Sequence, residues 1–577
     1  MAEPCNAFTD ARGVLIPLAP LTARLGGPAP LRRVLAALTV TEKVHAGRPR
    51  GMGCKARRAY MTVAAQPAAQ PAAQPHLLVP RARVGALLAA RTKDGRPLID
   101  SVTPMATGAT RQLAPSEPSE PLYGYQESAV DYVCGLFGTQ HAAYLQMDTG
   151  LGKSRVGLAV VVRRGAPALV VVPTEAIGFQ WVDEAAETYP DLRVALYRNP
   201  TAAQARANAR TGATPPGPAT HDVVVVIVNT FRDKEPDFLS GYGLIILDEA
   251  HELHSEHNCR ALWLSQAAPA ALGLSATPVE RPDGLDRYVS MHLGPVILPA
   301  TIPGFDARGV CFRGEVSAVE YAGHPDFCET AVTPAGTMSA ILTIGNLCRD
   351  AARTRLIAAL ADGLYRRHTT ADAAALAREG LGPRPAGAAS ARHPAGVVRR
   401  HGVFVFAEHR EMLPAIRDAL AALGIAPEDV LAPEIPLPAP VSILRGGVAR
   451  EAVGAARAAG AHIVLTTYGV SRRGISLPDM TAIVLATPRR NNLRQILGRI
   501  LRRGSDESIV RQVVDIIDVR TGLRSQSAER KKIYVEKGYP IVKTKVCADA
   551  ADPMPPNDDD AGGPTLDELM FQLDDLE

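Results

Sequence analysis

From about residue 122 the chain alternates short, unbroken apolar runs with stretches whose apolar residues recur at helical spacing. The runs 142–147, 168–172, 223–228, 243–247 and 271–275 are rich in Val, Ile and Leu. Unbroken apolar runs of this length predict strands covered on both faces, and hence a parallel sheet flanked by helices. The rhythm weakens between about 285 and 400, apart from a helix predicted near 346–366. It resumes with strands predicted at 402–407, 441–444, 462–466, 481–486 and 512–518. The expected fold class is α/β, with two tandem parallel-sheet domains.

The rest of the chain is punctuated differently. Three tandem Ala-Ala-Gln-Pro units fill 64–75, where a Pro at every fourth residue forbids a regular helix. A Pro/Ser-rich patch covers 114–121, and 378–400 is rich in Ala, Gly, Pro and Arg. The expected division is therefore a disordered or irregular N-terminal extension (1–115), a first domain (116–290), an irregular insertion and linker (291–400), a second domain (401–545) and a tail (546–577).

Charge sharpens this picture. The 577 residues carry a formal net charge of +4, a balance that conceals a strong asymmetry. Ten acids and no base follow Lys545, so residues 1–545 hold a net +14. A basic body with an acidic tail is the balance expected of a polyanion binder. The eight cysteines include no CxxC pair, which argues for a reducing, intracellular setting over a disulfide framework or a zinc site. No apolar run is long enough to predict a membrane span.

The chemistry gathers where predicted strands end. Met147-Asp148-Thr149-Gly150-Leu151-Gly152-Lys153-Ser154 falls between a strand and a helix. Such a loop turns backbone N–H groups toward a polyphosphate, with Lys153 in reach of the β/γ-phosphates and the Ser154 hydroxyl available to Mg²⁺. The common GxxxxGK[ST] pattern fails only at its first position, occupied by Met147. Leu244-Ile245-Ile246-Leu247 then delivers Asp248 and Glu249 at a strand's C-terminal end, where open α/β sheets bind ligands. Asp248 is the expected Mg²⁺ holder and Glu249 the expected base for the attacking water. In the second half, a helix over 494–503 would place Gln495, Arg499 and Arg502 on one face, where they could meet the γ-phosphate.

These residues resemble the superfamily 2 helicases, over roughly 122–540 and in the family's order. Tyr125-Gln126 is similar to the adenine-contacting element, with Gln126 as its contact. The loop 147–154 follows. Val172-Pro173-Thr174 and Val228-Asn229-Thr230-Phe231 resemble strand-contacting elements, which assigns nucleic-acid contacts to Pro173, Thr174 and Thr230. Asp248-Glu249-Ala250-His251 is similar to a DEAH box. Ser275-Ala276-Thr277-Pro278 resembles the element coupling hydrolysis to movement, with His251, Ser275 and Thr277 as its coupling residues. Thr466-Thr467-Tyr468 with Gly474-Ile475-Ser476-Leu477-Pro478 resembles the fifth motif, which touches nucleic acid (Thr466, Thr467 and neighbouring Arg472) and nucleotide (Gly474). Gln495-x-x-Gly498-Arg499-x-x-Arg502 matches the sixth.

The resemblance implies two RecA-like domains, ATP and Mg²⁺ as cofactors and a nucleic-acid partner. Arg281-Pro282-Asp283-Gly284 after the coupling element, and the 514–539 segment, resemble the DNA-acting branch that includes phage UvsW-type and large-DNA-virus transcript-release helicases. DNA is therefore expected over RNA, with a viral source and a location inside the host cell or virion. RNA unwinding, a non-motor nucleic-acid scaffold and the motor of a restriction system are the alternatives. In the tail, Leu566, Leu569, Met570, Leu573 and Leu576 fall at helical spacing between acids; a solvated tail or a helix docking a protein partner would both account for them.

Overall fold

The computed structural model describes residues 5–10, 13–41, 56–63, 76–92, 95–103, 110–201, 204, 214–278, 284–306, 312–333, 336–366, 401–425, 430–431, 463–468, 480–489, 493–501 and 509–547. The chain forms two compact units, Met1–Ala307 and Arg308–Glu577.

The first unit begins where an irregular extension is expected, and the described residues there are instead ordered into a small sheet. Strands β1 (Asn6–Asp10), β2 (Gly13–Pro17), β5 (Met61–Val63), β6 (His76–Val79) and β7 (Ser101–Thr103) assemble in the order β5-β6-β2-β1-β7. Ala7, Val14, Ile16, Leu21, Leu77, Val79 and Ile99 form its core. Burial of this scattered apolar set is what composition alone does not show, with the repeats at 64–75 set between β5 and β6. A two-stranded ribbon, β3 (Thr39–Thr41) with β4 (Ala56–Arg58), follows the helix Pro28–Ala37. Val40 and Ala59 reach into the core of the larger domain, and the Arg81 backbone N–H donates to Gln266 Oε1 at 2.8 Å. The repeats at 64–75 lie outside the described residues.

The larger domain is an all-parallel, seven-stranded sheet: β8 (Ala142–Gln146), β9 (Ala168–Val172), β10 (Val194–Tyr197), β11 (Val223–Ile227), β12 (Leu244–Leu247), β13 (Ala271–Ser275) and β14 (Val296–Ile297). Its order is β10-β11-β9-β12-β13-β8-β14. Five of these are the predicted strands. β10 and β14 escape prediction because they are short edge strands, only partly buried.

The second unit repeats the architecture, with β15 (Gly314–Ala322), β16 (Gly402–Ala407), β17 (Val430–Leu431), β18 (Ile463–Thr467), β19 (Met480–Leu485), β20 (Arg511–Asp518) and β21 (Ile541–Cys547). The order is β17-β18-β16-β19-β20-β15-β21, again parallel throughout. The stretch expected as an insertion therefore supplies a strand to this sheet, pairing with β20 along its length. Glu315, Ser317 and Glu320 interrupt the apolar run of β15, and so its sequence does not look buried. The predicted helix at 346–366 exists as Ala351–Arg366 after a shorter helix, Ala340–Leu347. The strand predicted at 441–444, the 378–400 segment and the tail beyond Cys547 lie outside the described residues.

One ion pair ties the second unit together. The Arg353 guanidinium, fully buried, donates from Nε to Asp518 Oδ1 (2.7 Å), from one terminal nitrogen to Asp518 Oδ2 (3.0 Å) and from the other to the Ala486 carbonyl (2.6 Å). It thereby fastens the helix Ala351–Arg366 to the ends of β19 and β20.

Candidate active site

The phosphate loop crosses the C-terminal end of β8. The Met147 N–H donates to the Ser275 carbonyl at 3.0 Å, so the loop and the chain after β13 leave the sheet side by side. Gly150 (φ 90°) and Gly152 (φ 78°) take left-handed conformations closed to side chains without strain. A Cβ at Gly152 would also sit 2.5 Å from Gln126 Nε2. Thr149, Leu151, Lys153 and Ser154 are half-buried, and the helix Lys153–Arg164 starts at the last turn of the loop. Gln126 is fully buried. Its amide donates to the Leu151 carbonyl at 3.0 Å and accepts the Tyr123 N–H at 3.1 Å, while the Tyr125 hydroxyl donates to the same Leu151 oxygen. Gln126 thus braces the loop from beneath.

Asp248 and Glu249 leave β12 beside this loop. Asp248 Oδ1 accepts the Glu249 N–H at 2.9 Å, and Oδ2 accepts the Trp181 indole N–H at 2.8 Å. Burial pushes the Asp248 carboxyl up to about 6, with the Glu249 charge adding to the rise. Lys153 and the Trp181 bond pull the other way. Trp181 comes from the helix Glu175–Thr188 and fits because residue 157 is glycine: a Cβ there would lie 2.7 Å from the indole. Glu249 is the one non-glycine residue with positive φ (48°) among those described. Backbone strain of this kind persists where the surrounding structure fixes it, and it concentrates at functional sites. Glu249 Oε2 is buried with no hydrogen-bond partner among the described residues, 3.4 Å from His251 Nδ1. His251 Nδ1 in turn lies 2.9 Å from Ser275 Oγ, which accepts the Thr277 N–H at 3.0 Å. The DEAH residues and the Ser-Ala-Thr segment are thereby one connected polar group.

The donor set suits Mg·ATP. A carboxylate and a hydroxyl are the hard oxygen ligands that Mg²⁺ prefers, the glycine loop can turn backbone N–H groups toward phosphate, and Glu249 Oε2 makes no hydrogen bond among the described residues that would compete with a water. Among the described residues no helix is long and apolar enough to cross a membrane.

The other expected strand-contact residues also follow strand ends. Half-buried Pro173 precedes Thr174, whose hydroxyl caps the helix Glu175–Thr188, and half-buried Thr230 follows β11. In the second unit Thr466 is buried and Thr467 half-buried at the end of β18. Arg472, Gly474 and Arg502 lie outside the described residues. Gln495 sits on the helix Leu493–Leu497, but that helix ends sooner than expected. Arg499 occupies a following turn in which the Arg499 and Ile500 N–H groups donate to Ile496 and Leu497 at 3.0 Å. Ile496, Leu497, Ile500 and Leu501 all enter one core.

Sequence reasoning missed Trp181, Gly157 and a brace behind motifs five and six. The Tyr468 hydroxyl donates to the Thr487 carbonyl at 2.8 Å, and the Arg489 guanidinium lies 5.0 Å over the Tyr468 ring while pairing with Glu408. Arg530, bidentate to Asp515, donates also to the Arg489 carbonyl at 3.0 Å. None of these has a motif signature; a lone Trp in a helix reads as core.

This arrangement of loop, carboxylate pair and Ser275 on the first of two parallel sheets is that of an ATP-dependent helicase, and the chain belongs to the superfamily 2 helicases. The "Putative ATP-dependent RNA helicase QP509L" of African swine fever virus is 39% identical over 437 residues, 75% of this chain and 76% of that protein. "Putative helicase 055L" of frog virus 3 is 31% identical over 183 residues, 31% of this chain and 38% of the other. The family described as "Type III restriction enzyme, res subunit" matches residues 120–280. Among solved structures, T4 UvsW is 16% identical with a TM-score of 0.35, over 95% of this chain and all of that one.

Trp181 also gives a prediction. Trp181→Phe removes the bond that favours the Asp248 carboxylate, so its proton leaves only at higher pH. The acid limb of the ATPase pH profile should move upward, with a loss of about tenfold near pH 6 and little change at pH 8. Parallel pH–rate profiles check it, and superimposable profiles would count against the role given to the indole.

Proposed function

We propose that the protein hydrolyses Mg·ATP to move along, or separate, the strands of DNA. The observation that supports this most directly is the connected group of Glu249, His251, Ser275 and Thr277 beside the phosphate loop. In this reading the base, Glu249, lies 3.4 Å from His251, whose contact with Ser275 leads to the segment that would sense hydrolysis.

In this reading the loop N–H groups and Lys153 hold the β/γ-phosphates, Ser154 and Asp248 hold Mg²⁺, and Gln126 steadies the loop against the base-binding side. Mg²⁺, when bound, neutralises phosphate charge. Glu249 accepts the proton of the attacking water; His251 orients the Glu249 carboxylate and passes its state to Ser275 and Thr277. Arg499, with Gln495 and Arg502, stabilises the charge that develops on the transferred phosphoryl group, a contribution of about 10³–10⁵ in rate where it has been separated out. Pro173, Thr174, Thr230, Thr466, Thr467 and Arg472 hold one strand chiefly by its phosphates, so binding is largely independent of sequence and weakens with salt. RNA is the second reading, favoured by the name of the African swine fever virus relative. The viral relatives point to action within an infected cell.

The test is steady-state ATPase with single-stranded DNA, duplex DNA and RNA side by side, with Lys153→Ala as the inactive control. Stimulation by DNA is the expected result. Stimulation by RNA alone would overturn the choice of polymer, and none by any of the three would overturn the motor.

A further inference from the structure

The N-terminal module has a use that the motor leaves unassigned. Residues 1–103 contain fifteen Lys/Arg and five Asp/Glu, and so hold +10 of the +14 found ahead of the tail. The structure places part of this charge on the exposed side of one helix and the ribbon that follows it. In the helix Pro28–Ala37, Leu31, Val34 and Leu35 pack on the module's core, which turns Arg32 and Arg33 outward, both exposed. Thr39, first residue of the ribbon, donates its hydroxyl to the Leu35 carbonyl at 2.9 Å and pairs across the ribbon with exposed Arg58. Arg32, Arg33 and Arg58 form no ion pair among the described residues. Asp100, the one carboxylate in the module whose side chain is described, is taken up by Arg24.

We infer that this surface is a second nucleic-acid grip, which binds the phosphodiester backbone apart from the strand-contacting motifs. Three outward guanidiniums with no carboxylate partner among the described residues leave a positive field, and a polyphosphate answers it by counterion release. Position supports the separation. Arg81 anchors the module through Gln266 and the Ala268 carbonyl, just ahead of β13, at the N-terminal ends of the parallel strands. The phosphate loop, Thr174 and Thr230 all follow the C-terminal ends. The module is thus fixed to the first domain at the end of the strands opposite the motor's contacts, where it can hold the polymer through a nucleotide cycle that changes the motor's own grip.

The inference assumes the nucleic-acid partner of the proposed function but not the motor's activity, and its test reads binding without turnover. The full chain carrying Arg32→Glu, Arg33→Glu and Arg58→Glu is compared with wild type by fluorescence anisotropy, on labelled duplex DNA, single-stranded DNA and single-stranded RNA, without nucleotide. Binding at low salt should weaken at least about tenfold, and the plot of log affinity against log salt should become shallower by about 2–3. The ATPase kcat at saturating nucleic acid should hold, with KM for the polymer raised. Equal losses on all three probes identify the shared backbone as ligand; a loss on one alone assigns the grip to that polymer. A matching thermal melt, and the milder Arg→Gln triple variant, separate lost charge from lost fold. Unchanged affinity and slope would overturn the inference. So would tighter binding, the result expected if the surface instead holds the chain's own acidic tail. Failure of wild type to show nucleic-acid-stimulated ATPase would strike the motor reading and leave this result standing.

Discussion

Glu249→Gln is expected to bind Mg·ATP with nearly wild-type affinity and to hydrolyse it about 10²–10⁴-fold more slowly. The substitution keeps the size of the side chain and its strained backbone but removes the base. In the proposed function the buried Oε2, which makes no hydrogen bond among the described residues, takes the proton of the attacking water, and an amide oxygen cannot substitute for it. His251 Nδ1 would then face a neutral group at 3.4 Å, so the path to Ser275 should persist while losing its charge at one end. Single-turnover hydrolysis alongside nucleotide titration checks this. A fall in binding equal to the fall in rate would show that Glu249 holds the nucleotide instead of activating water.

The largest expected effect on stability lies in the second unit. Arg353→Met leaves Asp518 charged, buried and deprived of both guanidinium bonds, and should destabilise that unit by about 3–5 kcal/mol. Removing both charges, as Arg353→Met with Asp518→Leu, should recover most of the loss, because the desolvation cost of the pair disappears together with its attraction. Urea unfolding followed by circular dichroism measures both. Similar instability in the single and double variants would mean that the bond from Arg353 to the Ala486 carbonyl, not the ion pair, is what secures β19.

Much of this architecture was open to a reader of the sequence alone, for an identifiable reason. Strands buried on both faces cannot tolerate polar residues, so β9, β11 and β12 announce themselves as unbroken Val/Ile/Leu runs. The motifs at their ends are equally plain, since phosphate and metal chemistry permits few residue types. What stayed hidden depends on tertiary contact. β15 carries Glu315, Ser317 and Glu320, and only its place between β20 and β21 reveals it as a strand of this sheet. The N-terminal sheet is assembled from strands of three to five residues, too short for periodicity to register, two of them separated by the 64–75 repeats. Trp181 was invisible as a partner of Asp248 because nothing in one helix says which strand end its indole will meet. The sixth motif was legible as a pattern, but the end of its helix at Leu497 was not, because the apolar spacing of Ile496, Leu497, Ile500 and Leu501 is equally that of a continuing helix.

The strand β15 has a practical consequence for anyone dividing the molecule. Sequence rhythm invites a cut near residue 400, just ahead of β16. A fragment beginning there would leave β21 with no neighbour among the described strands, since it pairs with β15 alone, and would bare the full length of β20. Such open edges recruit strands from other molecules, so the fragment would be prone to self-association for reasons unrelated to its function. A cut at the boundary between Ala307 and Arg308 keeps the seven strands together.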